Sequence, residues 1–127
     1  MGCAEVSRSE GAGEAVVTRP RAAGSVWVIA LRGEFDFESS PGVDEAITQA
    51  LRTDSSPIVF DVTEVGFCDS QLLGSLLRAA RERQVGLIGA GSLMRRLTEV
   101  TGTGHLLVHY ADLDSACAAL ADGPQRG

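Results

Sequence analysis

Asp69-Ser70 stands where a β-branched run gives way to leucines at helical spacing. A hydroxyl beside a carboxylate at a helix start has two chemical uses. As an N-cap its oxygen accepts a hydrogen bond from a first-turn amide that has no intrahelical partner, a role worth about 1 kcal/mol. As a phosphoacceptor it would carry about two negative charges next to Asp69, and the free amides and positive end of the helix would tolerate them.

Other reactive groups lack the company that chemistry needs. His105 and His109 fall on a strand-like run, Leu106 to Tyr110, where four residues span roughly 13 Å, too far for both to hold one metal. Glu34 with Asp36, and Asp61 with Glu64, come with no nucleophile–base pair or metal set. Gly86, Gly89 and Gly91 form no GxGxxG, and the absence of lysine removes a Walker motif. Cys68 reads as a small buried apolar residue and Trp27 as core. Arg78, Arg81 and Arg83 read as a solvated face near a helix C-terminus.

The elements that position Asp69-Ser70 follow from the pattern. Ile58 to Val62 has the composition of a strand buried on both faces, followed by a turn around Gly66. Ser70 then caps a helix carrying Leu73, Leu76, Leu77 and Ala80 inward and reaching about Gln84. Upstream, Glu14 to Arg19 and Val26 to Arg32 predict a hairpin of strands, with Pro20 suiting an edge and Arg21 to Ser25 as the turn. Gly33 to Asp36 predicts a second turn, and Ser40-Pro41 starts a helix with Val43, Ile47, Ala50 and Leu51 facing the core and its end near Thr53.

Downstream, Val85 to Gly89 predicts a strand. Ser92 caps a short helix with Leu93, Leu97 and Val100 inward and an Arg95–Glu99 pair, stopped by Gly102 or Gly104. Leu106 to Tyr110 is the last strand, and Asp112 opens a final helix with Leu113, Ala116, Cys117 and Leu120 inward. Alternating strand and helix predict an α/β fold: one domain, a mixed, mostly parallel sheet of about five strands, and helices packed on it. Residues 1–13 read as a disordered tail, 14–121 as the domain and 122–127 as a frayed tail.

Composition narrows the function. The net charge of −6 and pI near 4.8 argue against nucleic acid, which selects clustered positive charge. The longest strongly apolar run, Val26 to Leu31, is far short of the ~20 residues that span a bilayer, and residues 1–13 contain no apolar signal core. The 3 cysteines are far apart, with no CxxC pair, which fits reduced thiols and a cytoplasmic location.

Gly33-Glu34-Phe35-Asp36, Val59-Phe60-Asp61-Val62 and Phe67-Cys68-Asp69-Ser70, with the glycine after Thr101, resemble STAS domains, and most closely the bacterial anti-sigma factor antagonists, from about Val16 to Leu120. The resemblance implies a cytoplasmic switch protein with no catalytic activity and no cofactor of its own. Its implied partners are an anti-sigma factor with serine kinase activity, which would phosphorylate Ser70 using its own ATP, and a PPM-type serine phosphatase that would reverse the modification. Asp36 and Asp69 match family positions near that serine at the partner-facing end of the sheet. The family's Asp-Ser-Ser/Thr-Gly-Leu reads here Asp69-Ser70-Gln71-Leu72-Leu73. Gln71 and Leu72 are thereby candidate partner-binding residues, with Leu72 at the border of the helix stripe, where it would widen an apolar docking patch or block a kinase.

Two further readings compete with that switch. One is a STAS scaffold or adaptor in which Ser70 is never phosphorylated, only caps the helix, and a fixed protein partner is bound. The other is an enzyme or nucleotide-binding protein, which ATP binding by the isolated chain would favour.

Overall fold

The computed structural model describes residues 15–35, 40–54, 56–68 and 70–121, with backbone alone for Ser40, Phe67, Cys68, Ser70 and Ala121. In chain order the elements are β1 (Val16–Val17), β2 (Arg21–Ala23), β3 (Val26–Phe35), α1 (Ser40–Thr53), β4 (Ile58–Cys68), α2 (Ser70–Glu82), β5 (Val85–Ile88), α3 (Ser92–Val100), β6 (Leu107–Tyr110) and α4 (Leu113–Ala121). They form one sheet in the order β1-β3-β4-β5-β6, with β2 also paired to β3. β1 and β2 run antiparallel to β3, whereas β3 through β6 are mutually parallel. The expected α/β sheet is present.

The strand order is monotonic from β3 to β6, so successive right-handed crossovers place their helices on one face. α1, α2 and α3 accordingly bury Val43, Ile47, Leu72, Leu76 and Met94 against Ile29, Leu31, Phe60 and Leu87. α4 follows the last strand and closes no crossover. It covers the opposite face, setting Ala116 and Leu120 on Val26, Val28, Val59 and Ile88. Asp112 opens it as expected, its Oδ1 accepting from the Ser115 amide at 2.8 Å, a bond that holds the Asp112 carboxyl below its usual range.

The opening hairpin differs from expectation. Arg21–Ala23 is strand, and the turn shrinks to Gly24-Ser25 between the paired residues Ala23 and Val26. Pairing shifts by one residue between Val17↔Leu31 and Arg21↔Val28, which leaves Arg19 and Pro20 in a bulge. Proline has no N–H to give the ladder, and a bulge on an edge is where it is tolerated. Thr18 bridges the interruption: its amide donates to the Ala30 carbonyl at 3.0 Å, and its Oγ1 accepts from the Ala30 amide at 2.9 Å.

Two predicted turns are strand. β3 continues through Gly33 to Phe35 and β4 through Gly66 to Cys68, paired in parallel as far as Phe35↔Cys68. Register shifts lie between Ala30 and Arg32 and between Gly33 and Glu34. Gly33, at φ 96, absorbs the second in a conformation that side chains disfavour. The glycine thus marks an irregularity within a strand, not its end.

Trp27 is half-buried rather than sealed, packing on the α1–α3 face while its Nε1 donates to Asp54 Oδ1 at 2.9 Å. The Ser56 amide donates to the same oxygen, and these bonds hold the Asp54 carboxyl below its usual range. Arg83, read as part of a solvated face, closes the end of α1: its Nη2 donates to the carbonyls of Leu51 at 3.0 Å and Asp54 at 2.8 Å. A planar cation there answers the negative helix end and two unpaired carbonyls together. Arg83→Ala is expected to lower stability by about 1–2 kcal/mol, with Arg83→Lys recovering less than half of it. Urea midpoints at unchanged m-value would check this.

α3 is rotated from its expected setting. Gly91, not Ser92, holds the N-cap position, and Met94 and Thr98 are buried while Leu93 and Val100 are 42% and 74% exposed. Arg95 does not reach Glu99; its Nε donates to the Ala90 carbonyl at 3.3 Å. Gly102 stops the helix, with the Thr103 amide donating to the Thr98 carbonyl.

Candidate functional site

β3 and β4 end side by side at Phe35 and Cys68, and α2 begins two residues after Cys68, at Ser70. Because β3 to β6 are parallel, the starts of all four helices gather at this end of the sheet. Ser70 is the first residue of α2 rather than the cap expected of it. Asp36 and Asp69 both lie outside the described residues, and of Ser70 only the backbone is described. A first-turn residue sits among amides with no intrahelical acceptor, at the positive end of the helix dipole. A group attached there is presented to donors that favour negative charge.

The two residues after Ser70 divide between surface and core. Gln71 is exposed. Leu72 is not: it is 3% exposed and belongs to the main core with Leu73, Leu76 and Ala79. The inward stripe is centred on Leu76, which is 0% exposed. At 100° per residue Leu72 lies about 40° from that centre and Leu77 about 100°, so Leu77 is the border residue and Leu72 is not. Leu72 is therefore withdrawn as a docking residue.

The outward face of α2 carries Gln71, Gly74 and Arg78. Arg78 pairs with Asp44 on α1, which ties the exposed faces of the two helices into one surface running away from Ser70. Leu93, in the first turn of α3, is an exposed leucine at the same end of the sheet.

The other candidates do not converge. Among the described residues no three His, Cys, Asp or Glu side chains form a metal-binding group. Asp61 is engaged by Thr63, whose amide and hydroxyl both donate to its Oδ1, at 3.1 and 2.6 Å. Gly86 and Gly89 are packing positions: a Cβ on the first would meet the Tyr110 ring at 2.8 Å, and one on the second would meet Thr63 Cα at 2.7 Å. Sequence reasoning missed a polar contact altogether, between Thr98 and His109, at 3.0 Å. Its only signal was a histidine inside the otherwise apolar run from Leu106 to Tyr110.

The family model described as "Mlab, STAS domain" matches residues 18–109. A search of curated proteins gave no match. Among solved structures, the chain is similar to an anti-sigma factor antagonist from Mycobacterium paratuberculosis, with TM-score 0.78 and 25% identity over 90% of this chain and 100% of that one. It also shares its fold with SpoIIAA in the unphosphorylated form, at TM-score 0.67 and 18% identity over 81% of this chain and 95% of that one. The Bacillus cell fate determinant SpoIIAA in the phosphorylated form gives TM-score 0.65 and 19% identity, with 81% and 98% covered. With the family model matching more than half of the residues, and the strand–helix junction at Ser70 on the page, the chain belongs to the STAS domain family.

Proposed function

We propose that this protein is an anti-sigma factor antagonist that binds an anti-sigma factor with serine kinase activity and is released when that partner phosphorylates Ser70. The observation that carries the reading is the delivery of Ser70 by β4 as the first residue of α2, at the end of the sheet where the helices begin. The likeness to an anti-sigma factor antagonist over 90% of the chain supports it. Unmodified, Ser70 and Gln71 dock on the partner together with Asp36 and Asp69. Phosphate adds about two charges to a surface that already holds carboxylates, and docking two like-charged groups costs several kcal/mol. A PPM-type phosphatase restores binding, and the chain needs no cofactor of its own because the kinase supplies ATP. The protein works in the cytoplasm, as a domain bounded near residues 14 and 121.

The test is incubation with ATP and the histidine-kinase-like anti-sigma factors of the same genome, read by intact mass and by affinity. One phosphate is expected on the wild type and none on Ser70→Ala, with the phosphorylated form binding at least about a hundredfold more weakly. A second reading, a STAS adaptor holding a fixed partner with Ser70 unmodified, is favoured by the description of the matching family model as Mlab rather than as an anti-sigma factor antagonist. Tight capture of a partner with no phosphate transfer would establish the adaptor and overturn the switch.

A further inference from the structure

The contact between α3 and the last strand contains a histidine with room for only one proton. Thr98 is 3% exposed, and its hydroxyl donates to the Arg95 carbonyl at 2.9 Å. A hydroxyl has a single proton, and with that proton given to the Arg95 carbonyl, Thr98 Oγ1 is an acceptor toward His109 Nε2, 3.0 Å away. That arrangement assigns the proton of the neutral ring to Nε2. His109 Nδ1 is buried with no hydrogen-bond partner among the described residues. A second proton would have to go to Nδ1, creating a buried N–H with no acceptor and a positive charge near the Arg95 guanidinium.

We propose that His109 is a proton-operated latch, holding α3 on the sheet through Thr98 while neutral and loosening α3 when Nδ1 is protonated. Burial, and then the charge of Arg95, push the imidazole below its ordinary value of 6.5. Among the described residues no carboxylate offsets this charge. On α3, Arg96 and Glu99 are exposed. On the neighbouring strand β5 the register partner of His109 is Leu87. On α2, which packs over the same face, Arg81 and Glu82 are exposed, Arg78 pairs with Asp44, and Arg83 is held at the end of α1. Asp112 precedes α4 and accepts from the Ser115 amide, and Asp114 lies in α4, which covers the opposite face.

The direction with pH follows from linkage. The unfolded chain takes up this proton near pH 6.5 and the folded chain only below that, so the stabilisation is complete above 6.5. It is lost as pH falls from there through the folded value, about tenfold in the closed-to-open ratio for each pH unit of the window. The inference stands apart from the phosphorylation of Ser70.

His105→Ala leaves a single imidazole to observe. Nitrogen–proton correlation spectra at pH 7.5 are expected to show the Nε2–H tautomer, and titration to pH 5 a midpoint below 6.5. Amide exchange across Ser92–Val100, corrected for intrinsic rates, is expected to rise about tenfold per unit over that window while α1 stays protected. His109→Gln, which can still donate to Thr98 but does not titrate, should abolish the pH dependence. If that variant fails to fold, the wild-type titration decides. An Nδ1–H tautomer, a midpoint at or above 6.5, or α3 exchange indifferent to His109 protonation overturns the latch.

Discussion

Leu72→Ala is expected to cost about 2–4 kcal/mol of unfolding free energy, a large share of the 5–15 kcal/mol that holds a domain together. The side chain is 3% exposed and packed with Leu73, Leu76 and Ala79, so truncation removes apolar contact and leaves a void in the same helical turn as Ser70. Val100→Ala is the control: at 74% exposed, it should change stability by about 0.5 kcal/mol or less. Urea unfolding of both variants reads the difference directly. Should Leu72→Ala leave the midpoint unchanged yet weaken capture of a partner, Leu72 is a docking residue after all and the burial argument fails. The result also bears on Ser70, because the core under the first turn of α2 fixes where that residue is presented.

Gly89→Ala should destabilise the fold by about 2–5 kcal/mol. Two costs act together there. The backbone has φ 76, which a side chain disfavours, and an added Cβ would lie 2.7 Å from both Cα and Cβ of Thr63. Because part of the clash is with backbone of the central strand β4, no rotamer change can relieve it. Gly74→Ala provides the opposite sign within the same chain. It is an exposed helical glycine with nothing within 4 Å of an added Cβ, and the alanine should add about 0.5–1 kcal/mol. Thermal and urea unfolding of the two variants would check both signs, and a Gly89→Ala protein as stable as wild type would show that β5 can leave the sheet by another path.

The alternation of β-branched runs and helical leucine spacing placed β4, α2, β5 and α4 close to their true positions, since periodicity is a local property of the chain. The misplaced details share another cause. Gly33 and Gly66 read as turns because glycine breaks strands in isolation, yet β3 and β4 carry each other through both positions by pairing with one another. The inward face of α3 was assigned to Leu93, Leu97 and Val100 by apolarity alone. In the fold Met94 and Thr98 turn inward, because a buried threonine next to His109 satisfies its hydroxyl while the surface accepts a valine without penalty. For Leu72 the information was present: counting Ala79 into the stripe recentres it on Leu76 and draws Leu72 inside.

By itself the amino-acid order determined the class of fold, the strand-to-helix junction at Asp69-Ser70, and an acidic, lysine-free composition that argues against nucleic acid as a main partner. These rest on spacing and charge, which need no knowledge of neighbours. Tertiary structure alone decided that Arg83 closes α1 and that His109 meets Thr98. Each of those depends on residues 11 to 32 positions apart, or on the angle at which a helix settles onto the sheet. Both are set by the packing of the whole domain, and no local pattern encodes them.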